Sequence, residues 1–290
     1  MRIRKILEIA IPALVMLAAA VAYFPILRLY HAEAEKSKTP LEAGKPNPAA
    51  CLDISASVLS VDPSRNEMAL RLKFEPQGSL LAEDKFSLAK DLTLFVNNAS
   101  GNPERLFRKG KPMSPLDVTI SLYDGFPTDY PFDSYTADLE LSVSTPSKTE
   151  PGEEDSVPVV VRMTTIVHGF RIDASVDSDN PTEGAFLSFD VERSTTTVFF
   201  AVFVMVAQWL LALCVLAWAL SVLIRGRRIE ATLFGWVGAM LFAFPALRNA
   251  VPGAPPIGSL TDYLAFFWAE GIVMFSIVIL MYCYLSRPLK

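Results

Sequence analysis

Few residues in this chain are grouped in a way that could do chemistry. Its two histidines, His31 and His168, and its three cysteines, Cys51, Cys214 and Cys283, stand far apart in sequence. A zinc site needs several such ligands at close spacing. Asp173, Asp177, Asp179 and Glu183 could be gathered around calcium, but Asp177-Ser178-Asp179-Asn180 also reads as an ordinary turn. The glycine placement of an EF-hand loop is absent. No serine occupies a nucleophile elbow, and no glycine-rich loop is built to cradle phosphate. The expectation is a protein with no catalytic residues, no cofactor and no metal, and not an enzyme.

Three other groups of residues stand out. Glu270 lies in a long apolar run, roughly 12 Å along a helix at 1.5 Å per residue. A carboxylate at that depth in a membrane faces a partner or water. Gln208 falls at a similar depth in another apolar run, and Arg248 approaches from one end of a third. Together they form a candidate polar network, either a clamp between helices or a proton or ion path. The second group is Tyr130, Pro131, Phe132, Asp133 and Tyr135, a run of rings and prolines before a strand. It reads as a rigid corner or a docking loop, with Asp133 free to cap its own turn or to meet Arg193 or Arg248. The third is the outer loop containing Pro252, Gly253, Pro255 and Pro256, closed by Asp262.

These residues need elements to position them. Four segments are apolar enough to span a bilayer, which takes about 20 residues: Leu7–Leu27 and, approximately, 198–224, 231–249 and 263–285. The chain divides accordingly. Residues 1–31 form a cytoplasmic tip and anchor, 32–48 a linker, 49–196 a β domain, and 197–290 three spanning helices. Cationic residues favour the cytoplasmic side. Arg2, Arg4 and Lys5, then Arg225, Arg227 and Arg228, then Arg287 and Lys290 fall on one side if there are four spans. Both termini are then cytoplasmic and the β domain extracytoplasmic. The alternative is a cleavable signal peptide ending near Ala20-Val21-Ala22.

Between Ala32 and Thr196 there are 27 acidic and 16 basic residues, a net of −11, within a chain of net −5. An acidic domain repels phosphate backbones, so nucleic acid is excluded as a partner. Apolar residues alternate with polar ones at Leu70–Phe74, Val118–Leu122, Ala137–Val143 and Leu187–Val191. That period marks strands with one buried face. Further strands are expected at Leu52–Val61, Leu92–Asn97, Val157–Met163 and Ile166–Val176, and Pro146–Ser156 as an acidic loop. The fold class expected is a membrane protein, α plus β: an antiparallel β-sandwich carried on a four-span helical bundle.

A single anchor, a β domain with Tyr-Pro-Phe-Asp-Ser-Tyr, and three further spans with Leu247–Gly258, Asp262 and Phe266-Phe267-Trp268 carry a resemblance. The chain resembles the mostly bacterial membrane family catalogued as domain of unknown function 4436. The resemblance implies location and architecture, and no activity or ligand. The functional expectation is a non-enzymatic binding, scaffold or assembly protein of the cell envelope. Its partners are the lipid bilayer and an envelope protein or ligand, and a homo-oligomer is compatible with it. The competing class is a channel or transporter subunit with Glu270 in a polar path.

Overall fold

Alternation over Met68–Phe74 buries Met68, Leu70, Leu72 and Phe74 and leaves Arg71 and Lys73 in water. The same period buries Tyr135, Ala137, Leu139, Leu141 and Val143 on a second long strand. These two faces belong to two sheets that share one core, which joins Leu52, Ile54, Leu70 and Leu72 to Leu92, Leu94, Leu139 and Phe189. A computed structural model describes Arg28 and residues 41–44, 47, 49–146, 154–176, 184–226, 231–253 and 255–286. The expected first span, Leu7–Leu27, lies outside the described residues, as do Asp177, Asp179 and Glu183.

The first sheet has the order β1-β9-β2-β3-β6, with β1 Leu41–Ala43, β2 Ala50–Asp62, β3 Glu67–Gly78, β6 Leu116–Ser121 and β9 Val159–Thr164. The second runs β10-β11-β7-β4-β5, with β4 Leu92–Val96, β5 Glu104–Phe107, β7 Ser134–Pro146, β10 Phe170–Val176 and β11 Ala185–Arg193. β8, Glu154–Ser156, pairs on β7. One ladder corrects the expectation of a wholly antiparallel sandwich: β2 and β9 pair in parallel, Leu52 opposite Val159 through Ser57 opposite Thr164. Alternation tells which face of a strand is buried, not which strand lies beside it. β1 falls in the segment expected as linker and pairs with β9, Leu41 opposite Met163. β8 closes the segment expected as an acidic loop.

Three helices follow. α1, Thr195–Arg225, is capped by the Ser194 hydroxyl, which accepts from the Thr197 amide at 3.2 Å, and ends at Gly226 in the left-handed region. This is the N-cap and C-cap chemistry that leaves fewest orphan backbone groups. α2 is Ala231–Asn249. A π-helical turn, Asp262–Phe266, leads into α3, Phe267–Ser286. Ala212, Val215, Ala219 and Val222 of α1 form one cluster with Ala269, Val273, Leu280 and Cys283 of α3, and Val237 and Phe244 of α2 join it. Small residues at such a contact let helix backbones approach closely. Thr195–Arg225 and Asp262–Ser286 are each long and apolar enough to cross a membrane.

Candidate functional site: the junction of sheets and helices

β11 runs into α1 with a single residue, Ser194, between Arg193 and Thr195. Arg193 therefore sits where the two halves of the molecule meet. Its guanidinium lies 4.9 Å from the Tyr130 ring centre and 4.4 Å from that of Phe170. Nε donates to both Asp133 carboxylate oxygens at 3.0 Å, and the terminal nitrogen Nη2 lies 2.9 Å from Oδ2. The side chains are only 5% and 0% exposed, so neither charge has water to fall back on. The Tyr135 hydroxyl donates to Asp133 Oδ2 at 2.9 Å. A buried pair is sustained when further hydrogen bonds satisfy the remaining lone pairs, and here Tyr135 does so.

The turn that presents Asp133 is built locally. A 3₁₀ turn at Pro127–Asp129 is followed by the Phe132 amide donating to the Asp129 carbonyl at 2.9 Å. The Tyr130–Pro131 peptide bond is cis. Tyr130 is fully buried, and it packs with Ala201 and Val204 of α1, Val251 of the outer loop and Leu247 of α2. Thus Tyr130 of the corner faces the helices and Asp133 faces Arg193 at the end of β11, whereas Phe132 points out. Gly253 of the outer loop has φ +81°, and a Cβ there would lie 2.6 Å from a terminal nitrogen of Arg193. On the other side, the Gly169 carbonyl accepts from the Ser194 amide at 3.0 Å and from the Thr197 hydroxyl at 3.3 Å. Burial pushes the Tyr130 hydroxyl up to about 12, Arg193 opposes that and Asp133 adds to it. Tyr135 is raised too, by burial first and then by its bond to Asp133.

The outer loop is stapled by a second ion pair. Arg248 Nε and Nη2 each reach Asp262 at 2.9 Å. Nη2 also donates to the Pro256 carbonyl at 2.8 Å, and the Gly258 amide donates to Asp262 at 2.8 Å. Pro255 is buried, and Pro252 and Pro256 are exposed.

The expected Gln208–Arg248–Glu270 network does not form, which corrects the sequence reading. Gln208 is buried but donates to the Phe244 carbonyl at 3.3 Å. Arg248 is used by Asp262. Glu270 Oε2 is buried without a hydrogen-bond partner. Similar depth along three helices does not place three side chains on facing sides.

Other features lay beyond the sequence reading. Asp53, buried in β2, pairs with Arg162 of β9, which also approaches Glu42 of β1 at 3.6 Å. Finding it required knowing that these strands are neighbours. Phe170 beneath Arg193 carried no sequence signal either. A polar cleft of about 680 Å³ is lined by Lys90 and Lys109 together with Asp91 and Asp155, so its charges cancel and select no ligand sign. Among the described residues, no group of three or more His, Cys, Asp or Glu is arranged to hold a metal ion.

A two-sheet β domain with a buried ion pair at the end of β11, directly before apolar helices, is the class that the fold and junction define. Residues 41–192, which is 152 of 290, match the family model described as domain of unknown function (DUF4436), and the chain belongs to that family. Residues 193–287 match a second model, domain of unknown function (DUF8686). No curated protein matches the chain.

Proposed function

We propose that this is a multi-pass protein of the cell membrane whose β domain, extracytoplasmic and non-enzymatic, binds an envelope protein or ligand and is held in a set orientation by its helices. The observation that carries this reading is the junction. A buried clamp of Arg193, Asp133 and Tyr135 stands directly before a 31-residue apolar helix. A flexible tether would have sufficed for anchoring alone.

Two further observations support the membrane. Only 33% and 28% of the apolar windows of α1 and of the Asp262–Ser286 helix are buried within the protein. Water would not tolerate so much uncovered apolar helix, whereas lipid does. The apolar run Leu7–Leu27 would supply a further span. Leu41 pairs with Met163 at the end of β9 that leads to Gly169 and the start of α1. β1 thereby begins at the pole where the helices begin, as such a span requires. The cationic clusters then orient both termini to the cytoplasm.

Cysteine labelling tests this in a background where Cys51, Cys214 and Cys283 are replaced. An impermeant maleimide added to intact cells should label Lys111→Cys, and should reach Gly226→Cys only after permeabilisation. The reverse pattern overturns the orientation.

The second reading is a channel or transporter subunit, favoured by the unpaired Glu270 oxygen. A pore from so few spans per chain needs a ring of subunits. A monomer by light scattering in mild detergent would count against it, and a symmetric oligomer for it.

A further inference from the structure

The junction of the β domain with the helices carries four large apolar side chains in water, three on the domain and one on the outer loop. Phe126, Phe132, Ile166 and Ile257 are 55–87% exposed. They come from three separate loops, yet each loop is bonded into the junction. Phe126 and Phe132 flank the 3₁₀ turn, and Phe132 adjoins Asp133, the partner of Arg193. Ile166 is on the loop whose Gly169 carbonyl receives the first turn of α1. Ile257 follows Pro256, whose carbonyl is held by Arg248, in the same loop as Gly253. The three loops that carry them therefore meet where the helices begin.

We propose that this rim is a lipid-binding surface, immersed in the headgroup layer of the bilayer that the helices cross. The inference rests on the membrane reading above. Exposed aromatic residues also stand on the first turns of the helices, Phe199 on α1 and Tyr263 at the start of the π turn. Aromatic side chains gather at that level of a bilayer because one part of the ring is apolar and its edge tolerates the interface. Three of the four rim residues stand beside a proline: Pro127, Pro131 and Pro256. Stiff loops lose little freedom on immersion. A specific protein interface has a closely packed apolar core. A fence of separate side chains around a membrane helix fits a fluid lipid layer instead. The rim would add contacts that hold the β domain upright.

The test uses the full chain, free of native cysteines, in lipid nanodiscs. An environment-sensitive fluorophore is attached at Phe132→Cys and Ile257→Cys in separate variants. Leu210→Cys, exposed in the middle of α1, reports whether the helix spans. Lys111→Cys, next to Leu88 at the other end of the domain, is the aqueous control. The expected result at 132 and 257 is a blue shift and loss of emission in discs containing lipid with a quencher near the headgroup, and little loss with aqueous iodide. If 210 is quenched by lipid that carries its quencher on the acyl chain but 132 or 257 is quenched by iodide, the rim is overturned and the spanning helix stands. If 210 is also quenched by iodide, the membrane reading falls and the rim with it.

Discussion

Asp133→Ala should be among the most destabilising single changes in the β domain. Asp133 accepts from two Arg193 nitrogens and from the Tyr135 hydroxyl, all within 3.0 Å. Its removal leaves the Arg193 charge buried between the Tyr130 and Phe170 rings. The rings retain an attraction of about 0.5–2 kcal/mol for the cation, but they accept no conventional hydrogen bond. Breaking a buried pair on one side costs about 3–5 kcal/mol. At roughly 2–4 °C per kcal/mol for a domain of this size, the thermal midpoint should fall by about 6–20 °C. The double variant Asp133→Leu with Arg193→Met removes both charges, so its loss should be about 1 kcal/mol or less. The assay is thermal unfolding of the full chain in detergent, followed by the β-sheet band in circular dichroism, with Asp133→Leu and Arg193→Met as the two singles of the cycle. The reasoning is refuted if Asp133→Ala costs less than about 1 kcal/mol, or if the double variant loses the sum of the two singles.

Gly253→Ala should cost about 1–2 kcal/mol from the left-handed backbone alone, and more because its Cβ would press on Arg193, as the same melts would register. Tyr130 and Tyr135 both hold their protons more tightly when folded. Their contribution is therefore complete below the ordinary tyrosine value of about 10 and is lost as pH rises past it. Tyr130→Phe should reduce the drop in thermal midpoint between pH 8 and about pH 12, and should cost little at pH 8 because the hydroxyl has no hydrogen-bond partner. Glu270→Leu should raise the midpoint, since Glu270 Oε2 is buried and unpaired. Loss of stability would mean that the carboxylate is paired in the membrane.

Strands long enough to show several periods were legible as such. β3, β6, β7 and β11 run six residues or more, and their inward residues could be named one by one. β1, β5 and β8 have only three or four residues, too few for a period, and each owes its conformation to the neighbour it pairs with. The pairing of Asp133 with Arg193 was among the contacts that the sequence made available, because a short connection brings Arg193 to the pole where the helices begin. The choice of Arg193 over Arg248 was not legible. Arg248 is taken by Asp262, fourteen residues on, through a loop whose path depends on Gly253 and Gly258 at positive φ. Depth along a helix placed Gln208 and Glu270 at one level. Rotation about the helix axis decides contact, and weakly amphipathic membrane helices carry little record of it.

The boundary between the two family models falls between residues 192 and 193, at the clamp. Asp133, Tyr130 and Tyr135 belong to the first stretch, and Arg193, Val251 and Gly253 to the second. A buried ion pair is a poor source of stability, because apolar residues of matching shape do as well. Our hypothesis is that the pair serves orientation: it forms in one geometry, whereas apolar surfaces slide. The double variant Asp133→Leu with Arg193→Met separates the two roles, since it should keep stability and lose alignment. Spin labels at Lys73 in β3 and at Leu220 in α1 would read the distance between the halves in nanodiscs. The native protein should give one narrow distribution, and the double variant a broad one with an unchanged β-sheet spectrum. An equally narrow distribution at the same distance would show that Tyr130 packing and the outer loop set the orientation without the charges.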